Sequence, residues 1–330
     1  MTNLKEEEIR PKQLFDQYLS LAEDDARDIV KTGRFEFVNC ISCGQKGETK
    51  FEKLGFSYAE CPDCQTIYAN PRPSKKDLDI FYTKGKSTAF WATDFYRSTA
   101  EARREKLWKP KAQQVLDIVA SHGTDFKWIC DIGGGYGLFA EEFRKLDKLG
   151  LEVLVIEPSP QLSAVCNEKG IQTISKFIEN CSASDLPSGP GIFTCFELYE
   201  HLHDPAFFLN QVFMLMPKNS VFIMTTLSGT GVDIRSLGKF SKSVFPPHHL
   251  NFANPKAIKS MAQKIGYSQI SVSTPGKLDL SIMENSKEHL DSDFWKLFIE
   301  TASEDQKSEM QNTLAKFGFS SHMWMSAIKK

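Results

Sequence analysis

Seven short apolar runs from residue 127 onward alternate with helical patterns, and this alternation limits the possible folds more than any other feature of the chain. The first helical pattern places Phe139, Phe143 and Leu146 on one face. Strands that alternate with helices form βαβ units, which give a mostly parallel sheet covered on both faces. We therefore predict an α/β fold. Its strands are predicted at Trp128–Ile132, Leu151–Ile156, Ile171–Ile174, Ile192–Phe196, Val221–Thr226, Gln269–Thr274 and Met323–Ile328.

A glycine-rich stretch, Asp131-Ile-Gly-Gly-Gly-Tyr-Gly137, joins the first predicted strand to the first helix. Glycines let a backbone turn sharply and approach a ligand closely, and the helix N-terminus that follows favours negative charge. Glu157 ends the second predicted strand, where a carboxylate can accept hydrogen bonds from both hydroxyls of a ribose. The alternatives are a plain βα turn and a solvated acid. An NAD-dependent oxidoreductase is disfavoured, because Leu138 stands at the third glycine position of the dinucleotide fingerprint.

Four of the eight cysteines form two close pairs, Cys40-Ile-Ser-Cys43 and Cys61-Pro-Asp-Cys64, which 17 residues separate. This spacing is typical of a structural zinc site, in which four thiolates surround the ion and leave no open position. A segment of about 35 residues buries too little apolar surface to fold alone, so a bound metal would stabilise it. Reduced cysteines in a loop and a redox-active pair are the alternatives. We predict Zn²⁺ bound by Cys40, Cys43, Cys61 and Cys64.

The charge balance excludes several classes of partner. The chain has 330 residues with 40 Lys and Arg against 42 Asp and Glu, so we expect neither nucleic acid nor an anionic membrane surface as its main partner. No run approaches the roughly 18 apolar residues of a membrane span. The acidic N-terminus does not look like a secretory signal. We therefore expect a cytoplasmic protein with reduced cysteines and a small-molecule substrate.

The spacing Asp-x-Gly-x-Gly-x-Gly resembles motif I of class I S-adenosylmethionine-dependent methyltransferases. After the fourth predicted strand, Phe196-Glu-Leu-Tyr-Glu-His-Leu-His-Asp-Pro205 is similar to the E-x-x-E-H-x-x-D-P signature of the same superfamily. The resemblance implies a Rossmann-like sheet of seven strands and S-adenosylmethionine as the cofactor. The residues that it implies for cofactor binding are Asp131, Gly133, Gly134, Gly135, Gly137, Glu157, Phe196 and Glu197.

Most of the chain resembles methyltransferases that carry a zinc ribbon, many of which are associated with deoxysugar or surface-polysaccharide biosynthesis. Besides the glycine loop, the resemblance is carried by Glu8-Ile-Arg-Pro-Lys12, Tyr68-Ala-Asn-Pro-Arg-Pro73, Phe245-Pro-Pro-His-His-Leu-Asn-Phe252 and Ser320-Ser-His-Met-Trp324. In the sugar C-methyltransferases of this group, a histidine after the fifth strand removes a proton alpha to a ketone, and the resulting enolate attacks the methyl group. The catalytic residues that the resemblance implies are His249, His248, His201, Glu200 and Tyr199.

We predict four segments along the chain: a helical segment at 1–34, a zinc ribbon at 35–73, a helical connection at 74–122, and a methyltransferase domain at 123–330 with a helical insertion at 281–319. The predicted function is methyl transfer from S-adenosylmethionine to a sugar or nucleotide-sugar. One alternative is a zinc-ribbon binding module on a degenerate scaffold that does not catalyse a reaction. Another is methylation of oxygen or nitrogen in a different small molecule.

Overall fold

The computed structural model describes residues 5–330, so the first four residues of the predicted N-terminal segment lie outside the described part. A long helix, α1 (Lys12–Thr32), begins directly after Pro11. The apolar residues that it buries recur every three or four positions and therefore share one face. They are Phe15, Tyr18, Ala22 and Ala26.

Five short strands and four further helices follow α1 before the main sheet begins. They are β1 (Phe35–Glu36), β2 (Glu48–Lys53), β3 (Phe56–Glu60), β4 (Ile67–Ala69), β5 (Arg72–Pro73), α2 (Lys75–Lys84), α3 (Lys86–Phe90), α4 (Tyr96–Arg103) and α5 (Lys109–Ala120). Two π-helical stretches, Trp91–Phe95 and Arg104–Trp108, link α3 to α4 and α4 to α5. None of the helices between residues 5 and 330 has both the length and the apolar character needed to cross a membrane.

The rest of the chain forms the α/β part of the protein. Its elements are β6 (Trp128–Ile132), α6 (Leu138–Leu146), β7 (Glu152–Ile156), α7 (Pro160–Glu168), β8 (Gln172–Ile174), β9 (Ile192–Phe196), α8 (Pro205–Leu215), β10 (Val221–Leu227), α9 (Val232–Leu237), β11 (Asn251–Phe252), α10 (Pro255–Ile265), β12 (Ser268–Ser273), α11 (Asp279–Glu284), α12 (Asp293–Thr301), α13 (Glu304–Lys316) and β13 (His322–Ile328). The helices α11, α12 and α13 lie between the last two strands.

Seven of these strands form one sheet in the order β12-β13-β10-β9-β6-β7-β8. The five strands from β6 to β10 run parallel, whereas β13 is antiparallel to both of its neighbours. The predicted α/β class and the seven-stranded, mostly parallel sheet are therefore confirmed. Each of the seven strands lies within one residue of its predicted bounds at both ends.

Apolar side chains of the parallel strands alternate between the two faces of the sheet. Ile129 packs with the side chains of α5 and α6 on one face. Its neighbour Cys130 packs with the side chains of α8 and α10 on the other face of the sheet. Because both faces are covered, the central strands are buried along their whole length, as the continuous apolar runs in the sequence require.

We call residues 35–73 the cysteine ribbon, and its sheet includes a strand from the α/β part. The order of this four-stranded sheet is β11-β4-β3-β2. Asn251 pairs with Tyr68 and Phe252 with Ile67, although more than 180 residues separate the paired strands in the sequence. The ribbon and the α/β part therefore share backbone hydrogen bonds as well as apolar contacts.

A buried arginine links the end of the ribbon to two loops of the α/β part. Arg72 has no exposed side-chain surface. Its Nη1 donates to the carbonyl oxygen of His203 at 2.5 Å, and its Nη2 donates to Oδ1 of Asn251 at 3.1 Å. Asn251 in turn donates through Nδ2 to the carbonyl oxygen of Leu202 at 2.6 Å. Burial lowers the pKa of Arg72 to about 10, so the guanidinium stays charged at neutral pH.

Replacement of this arginine tests the link between the ribbon and the two loops. Arg72→Met removes the guanidinium N–H donors. Oδ1 of Asn251 and the carbonyl of His203 then lose the hydrogen bonds that they accept from Arg72. We expect the free energy of unfolding in urea to fall by about 3 kcal/mol, since each bond to a charged donor contributes about 1.5–3 kcal/mol. Arg34→Met is the matched control, because Arg34 is 71% exposed. Equal urea midpoints for Arg72→Met and the unmodified chain would contradict this account.

Candidate active site at the carboxyl ends of the parallel strands

The order of the strands places a crevice beside β6. From β6 the chain continues outward to β7 and β8, then crosses back to β9 on the other side of β6. At such a reversal, the connections on the two sides diverge and leave a crevice beyond the carboxyl ends of the two strands. The glycine-rich loop follows β6 at this edge and Glu197 follows β9. The two predicted cofactor motifs therefore lie on opposite sides of one crevice.

The glycine loop requires glycine at positions where a side chain would be strained or would clash. Gly133, Gly135 and Gly137 have φ angles of +70°, +55° and +69°, which L-residues rarely adopt. A Cβ atom on Gly134 would lie 2.8 Å from Cγ1 of Val155. A Cβ atom on Gly135 would meet nothing within 4 Å, so the loop borders open space at that residue.

The Glu157 carboxylate lies directly against the glycine loop. Its Oε2 accepts a hydrogen bond from the backbone N–H of Gly135 at 3.0 Å, and its Oε1 accepts one from Ser159 at 2.9 Å. Burial raises the pKa of Glu157, whereas the two backbone donors lower it. Each oxygen keeps a further lone pair, so this acceptor has the chemistry needed to bind a diol beside the loop.

Asp131 fixes the start of the loop from inside the sheet. It is 3% exposed, and its Oδ1 accepts a hydrogen bond from Oγ1 of Thr194 at 2.8 Å. Burial raises the pKa of Asp131 to about 7, although the Thr194 bond and the charge of Lys111 oppose the shift. At neutral pH this carboxyl is therefore divided between its protonated and ionised forms.

Glu197 is held by three donors from distant parts of the chain. Its Oε1 accepts from Nζ of Lys111 at 3.1 Å, from Oγ1 of Thr225 at 2.6 Å and from Nε2 of His322 at 3.0 Å. Burial raises the pKa of Glu197, but Lys111 and His322 outweigh this effect and bring it well below the usual range. Oε2 receives none of these three bonds, so the ionised group keeps one oxygen for another partner.

Lys111 reaches Glu197 through an aromatic enclosure and is only 8% exposed. Its Nζ lies 4.6 Å from the ring centroid of Phe196, 5.1 Å from that of Trp108 and 5.8 Å from that of Trp324. The sequence analysis missed Lys111 and His322, because they lie 86 and 125 residues from Glu197. The available signal was a lysine on the apolar face of a helix, between Trp108 and Val115.

Three of the predicted catalytic residues lie together at the same edge of the sheet. Glu200, His201 and His249 each place one polar atom within 4.8 Å of the others. Nδ1 of His201 lies 2.9 Å from the carbonyl oxygen of His248, and Nδ1 of His249 lies 2.6 Å from that of Ser243. Each Nδ1 is therefore the protonated donor, which leaves Nε2 with a free lone pair.

Burial controls the charge of this cluster. It lowers the pKa of His201 to about 4 and that of His249 to about 3, so both imidazoles are neutral at pH 7. Burial and the nearby Glu197 charge raise the pKa of Glu200 to about 8, and its Oε2 accepts from Oγ1 of Thr226 at 2.8 Å. Two neutral imidazoles beside a carboxyl group can pass a proton or bind a divalent cation.

The other two predicted catalytic side chains lie apart from this cluster. His248 is 4% exposed, and its Nε2 lies 2.8 Å from Oγ of Ser87, which donates to Oδ2 of Asp25 at 2.6 Å. Tyr199 has no exposed surface and packs in the core. Tyr82, which the sequence analysis missed, donates to the carbonyl of His248 at 3.2 Å and lies 3.3 Å from Nδ1 of His201.

The four paired cysteines converge at one end of the cysteine ribbon. Sγ of Cys40 lies 3.4 Å from Sγ of Cys64, the same distance separates Cys43 and Cys61, and all four sulfurs lie within 4.8 Å of one another. Four thiolates about 2.3 Å from a tetrahedral ion would be about 3.8 Å apart. The donor set is therefore suited to a metal ion in both number and spacing.

Comparison with known proteins identifies the family. A family described as a methyltransferase domain matches residues 100–272, which is more than half of the chain. The chain therefore belongs to this family of methyltransferase domains, and its sheet has the class I fold used with S-adenosylmethionine. No match to a curated protein was found.

Solved structures with a similar fold include methyltransferases of several kinds. A possible histamine N-methyltransferase from Thermotoga maritima is 15% identical, with 77% of this chain and 99% of that chain covered and a TM-score of 0.46. The plantazolicin methyltransferase BpumL is 12% identical, with 77% and 94% covered and a TM-score of 0.49. Phosphoethanolamine N-methyltransferase 2 from Haemonchus contortus is 17% identical, with 80% and 62% covered and a TM-score of 0.49. These low similarities do not indicate the acceptor of this chain.

Stability should depend on pH through Asp131. Its folded-state pKa of about 7 lies above the usual 3.8, so the folded protein holds the proton more tightly than the unfolded chain does. The resulting stabilisation is complete below about pH 4 and is lost as the pH rises to about 7. Asp131→Asn removes this dependence. We therefore expect its free energy of unfolding, relative to that of the unmodified protein, to increase by up to about 4 kcal/mol over this range.

Urea unfolding at several pH values without ligand measures this difference. Asp185→Asn is the control, because the hydrogen bond with Lys176 lowers the pKa of Asp185 to about 2, below the pH range of the test. A stability difference for Asp131→Asn that stays constant from pH 4 to pH 7 would be inconsistent with the buried, protonated carboxyl.

Proposed function

We propose that this protein transfers a methyl group from S-adenosylmethionine to a small polar acceptor, a sugar or nucleotide-sugar of polysaccharide or deoxysugar biosynthesis. The observation that carries the proposal is the Glu157 carboxylate bonded to Gly135 at a loop that borders open space. This combination suits a nucleoside whose ribose binds the carboxylate and whose polar tail follows the loop backbone. When bound, S-adenosylmethionine supplies an electrophilic methyl group.

The donor would be held along the crevice by the predicted cofactor residues. The backbone of Gly133, Gly134 and Gly135 would cradle its amino-acid part, and Asp131 and Gly137 would fix the two ends of that loop. Phe196 and Glu197 would lie along the donor on the opposite side of the crevice. Methyl transfer is a displacement in line with the breaking bond, so the main task of these residues is to hold donor and acceptor in that geometry.

We assign removal of the acceptor proton to His249. Its imidazole is neutral, and the Nδ1 contact with Ser243 leaves Nε2 free to accept a proton. Oη of Tyr58 in the cysteine ribbon donates to the backbone carbonyl of His249 at 2.7 Å, which fixes the main chain of this residue. Glu200 and His201 lie beside it and would share the proton. The same base would serve a ketone alpha carbon or a hydroxyl acceptor.

We further propose that the four cysteines of the ribbon bind a structural Zn²⁺. Both pairs form the same turn, in which the N–H of Cys40 donates to Gln45 and the N–H of Cys61 donates to Thr66. Four thiolates would complete the coordination of the ion and leave no position for a substrate. Zinc would therefore stabilise the ribbon without taking part in methyl transfer.

Donor binding can be measured without knowing the acceptor. We expect saturable binding of S-adenosylhomocysteine by calorimetry. Glu157→Gln should weaken this binding about tenfold or more, because a charged acceptor is lost. Gly135→Arg should abolish it, because the new side chain would enter the open crevice from a backbone with φ of +55°.

Two further variants separate donor binding from other effects. Gly150 also has a positive φ, +72°, and a Cβ atom there would likewise meet nothing within 4 Å, but it lies in a different loop, so Gly150→Arg should keep the affinity of the unmodified protein. His249→Gln should also keep this affinity, because the proposal places His249 on the acceptor side. Absence of saturable binding by the unmodified protein would reject the proposed function.

Elemental analysis should find one zinc per chain. Cys61→Ser should lose the metal and unfold the ribbon locally, because a structural ion supplies on the order of 10 kcal/mol to a small domain. Cys181→Ser is the control, since Cys181 lies outside the four-cysteine cluster. Stoichiometric zinc retained by Cys61→Ser would show that the four-thiolate assignment is wrong.

A further inference from the structure

Two arginines beside the crevice have polar atoms without partners. Arg103, at the end of α4, makes no hydrogen bond or ion pair with any group among residues 5–330, and its Nε is shielded from solvent. Arg10 pairs with Glu6 through Nη1 at 3.3 Å, but its Nε is likewise shielded and unpaired within the described chain. A shielded N–H group without an acceptor costs free energy, so these two Nε atoms indicate a missing partner.

An aromatic cluster connects the two guanidinium groups. That of Arg10 lies 5.2 Å from the ring centroid of Phe15, and that of Arg103 lies 5.4 Å from the ring centroid of Trp91. Phe95 lies between these rings, with centroids 6.3 Å from Phe15 and 4.3 Å from Trp91. Burial lowers the pKa of Arg103, and the charge of Arg10 contributes to the lowering, which is consistent with two cations near each other.

Both ends of this cluster contact the candidate active site. Tyr96, whose ring centroid lies 5.7 Å from the guanidinium of Arg103, stacks on Tyr136 of the glycine loop at 4.5 Å. On the other side, the ring of Phe15 stacks on that of Tyr18 with centroids 6.0 Å apart, and the ring of Tyr18 lies 5.4 Å from that of His248, the neighbour of His249 in the sequence. The charge of Arg10 also contributes, after burial and His201, to the lowered pKa of His249. The arginines therefore border the space between the glycine loop and the proposed base, where an acceptor must lie.

The carboxylates of the site form no direct ion pair with Arg103 within residues 5–330. Glu197 is already held by Lys111 and His322 through Oε1. Glu6 contacts Arg10 at one nitrogen only. A third cation, Nζ of Lys242, lies 6.0 Å from the ring centroid of Phe15, near Arg10. Of these three cations, only Arg10 has a carboxylate partner among residues 5–330.

We infer that Arg10 and Arg103 form an anion-binding subsite for a phosphate-bearing acceptor, such as a sugar linked to a nucleoside diphosphate. The inference rests on the proposed function and specifies the charge of its acceptor. Guanidinium groups bind phosphate oxygens through paired N–H donors, and two such groups suit an anion with several charges. The methyl donor has one carboxylate and, on the proposed function, would lie against Glu157 and the glycine loop, which would leave the Arg10 side to the acceptor.

Calorimetry with the full chain and inorganic pyrophosphate tests this subsite. The unmodified protein should bind pyrophosphate, and Arg10→Gln and Arg103→Gln should each weaken that binding about tenfold or more. Arg103→Lys keeps the charge but loses the planar fork, so it should retain part of the affinity and also shows that the position tolerates substitution. Arg27→Gln is the control, because Arg27 is 66% exposed and pairs with Asp24.

The same variants distinguish the two anions that the arginines could bind, which are the phosphate of the acceptor and the carboxylate of the methyl donor. Affinity for S-adenosylhomocysteine should remain within about twofold in both glutamine variants. If Arg103→Gln instead weakens S-adenosylhomocysteine but not 5′-methylthioadenosine, which lacks the amino-acid carboxylate, the arginine binds the donor and the inference is wrong.

Two further outcomes would also overturn the inferred anion-binding subsite. One is pyrophosphate binding that neither arginine variant changes, and the other is S-adenosylhomocysteine binding without pyrophosphate binding. Failure to bind S-adenosylhomocysteine at all would reject the proposed function itself, so the two failures are distinguishable.

Discussion

The pairing of β11 with β4 is the contact on which the arrangement of the site depends. It places the segment that carries His249 on the edge of the cysteine ribbon, where Arg72 holds Asn251 and the carbonyl of His203. The main chain of His249 is bound by Tyr58 from the same ribbon sheet. A base that removes a proton must stay within hydrogen-bond reach of its target, and a surface loop alone would not ensure this. The ribbon therefore fixes the main chain of the proposed base.

Electrostatics in the crevice follow from which charged groups have partners. Glu197 is ionised because Lys111 and His322 bind it. Burial and the Glu197 charge raise the pKa of Glu200 to about 8, so Glu200 holds its proton at neutral pH although the charge of Lys111 opposes the shift. Two nearby carboxyl groups thus differ in charge because their environments differ. A neutral His249 that accepts a proton becomes positively charged, and the nearby charge of Glu197 favours that form because it raises the pKa of His249.

The sequence predicts the sheet well because buried parallel strands have a strong local signal. The central strands appear as apolar runs, and the glycine loop and Glu157 follow from spacing along a single βαβ unit. Side chains brought together from distant elements have no such signal. Lys111, His322 and Arg103 are ordinary polar residues in the sequence until the fold places them beside the crevice. The different environments of the adjacent His248 and His249 also depend on tertiary packing, because both occupy one loop.

The strand shared between the two sheets limits how modular this protein can be. A chain begun at residue 74 would lose the partner of β11 and leave its backbone hydrogen-bonding groups unpaired at an open edge. It would also uncover Phe252, Leu250 and Ile234, which pack with ribbon side chains in one apolar cluster. The ribbon is therefore not an appendage that recombination could exchange freely, and any replacement would have to supply both a matching strand edge and a matching apolar surface.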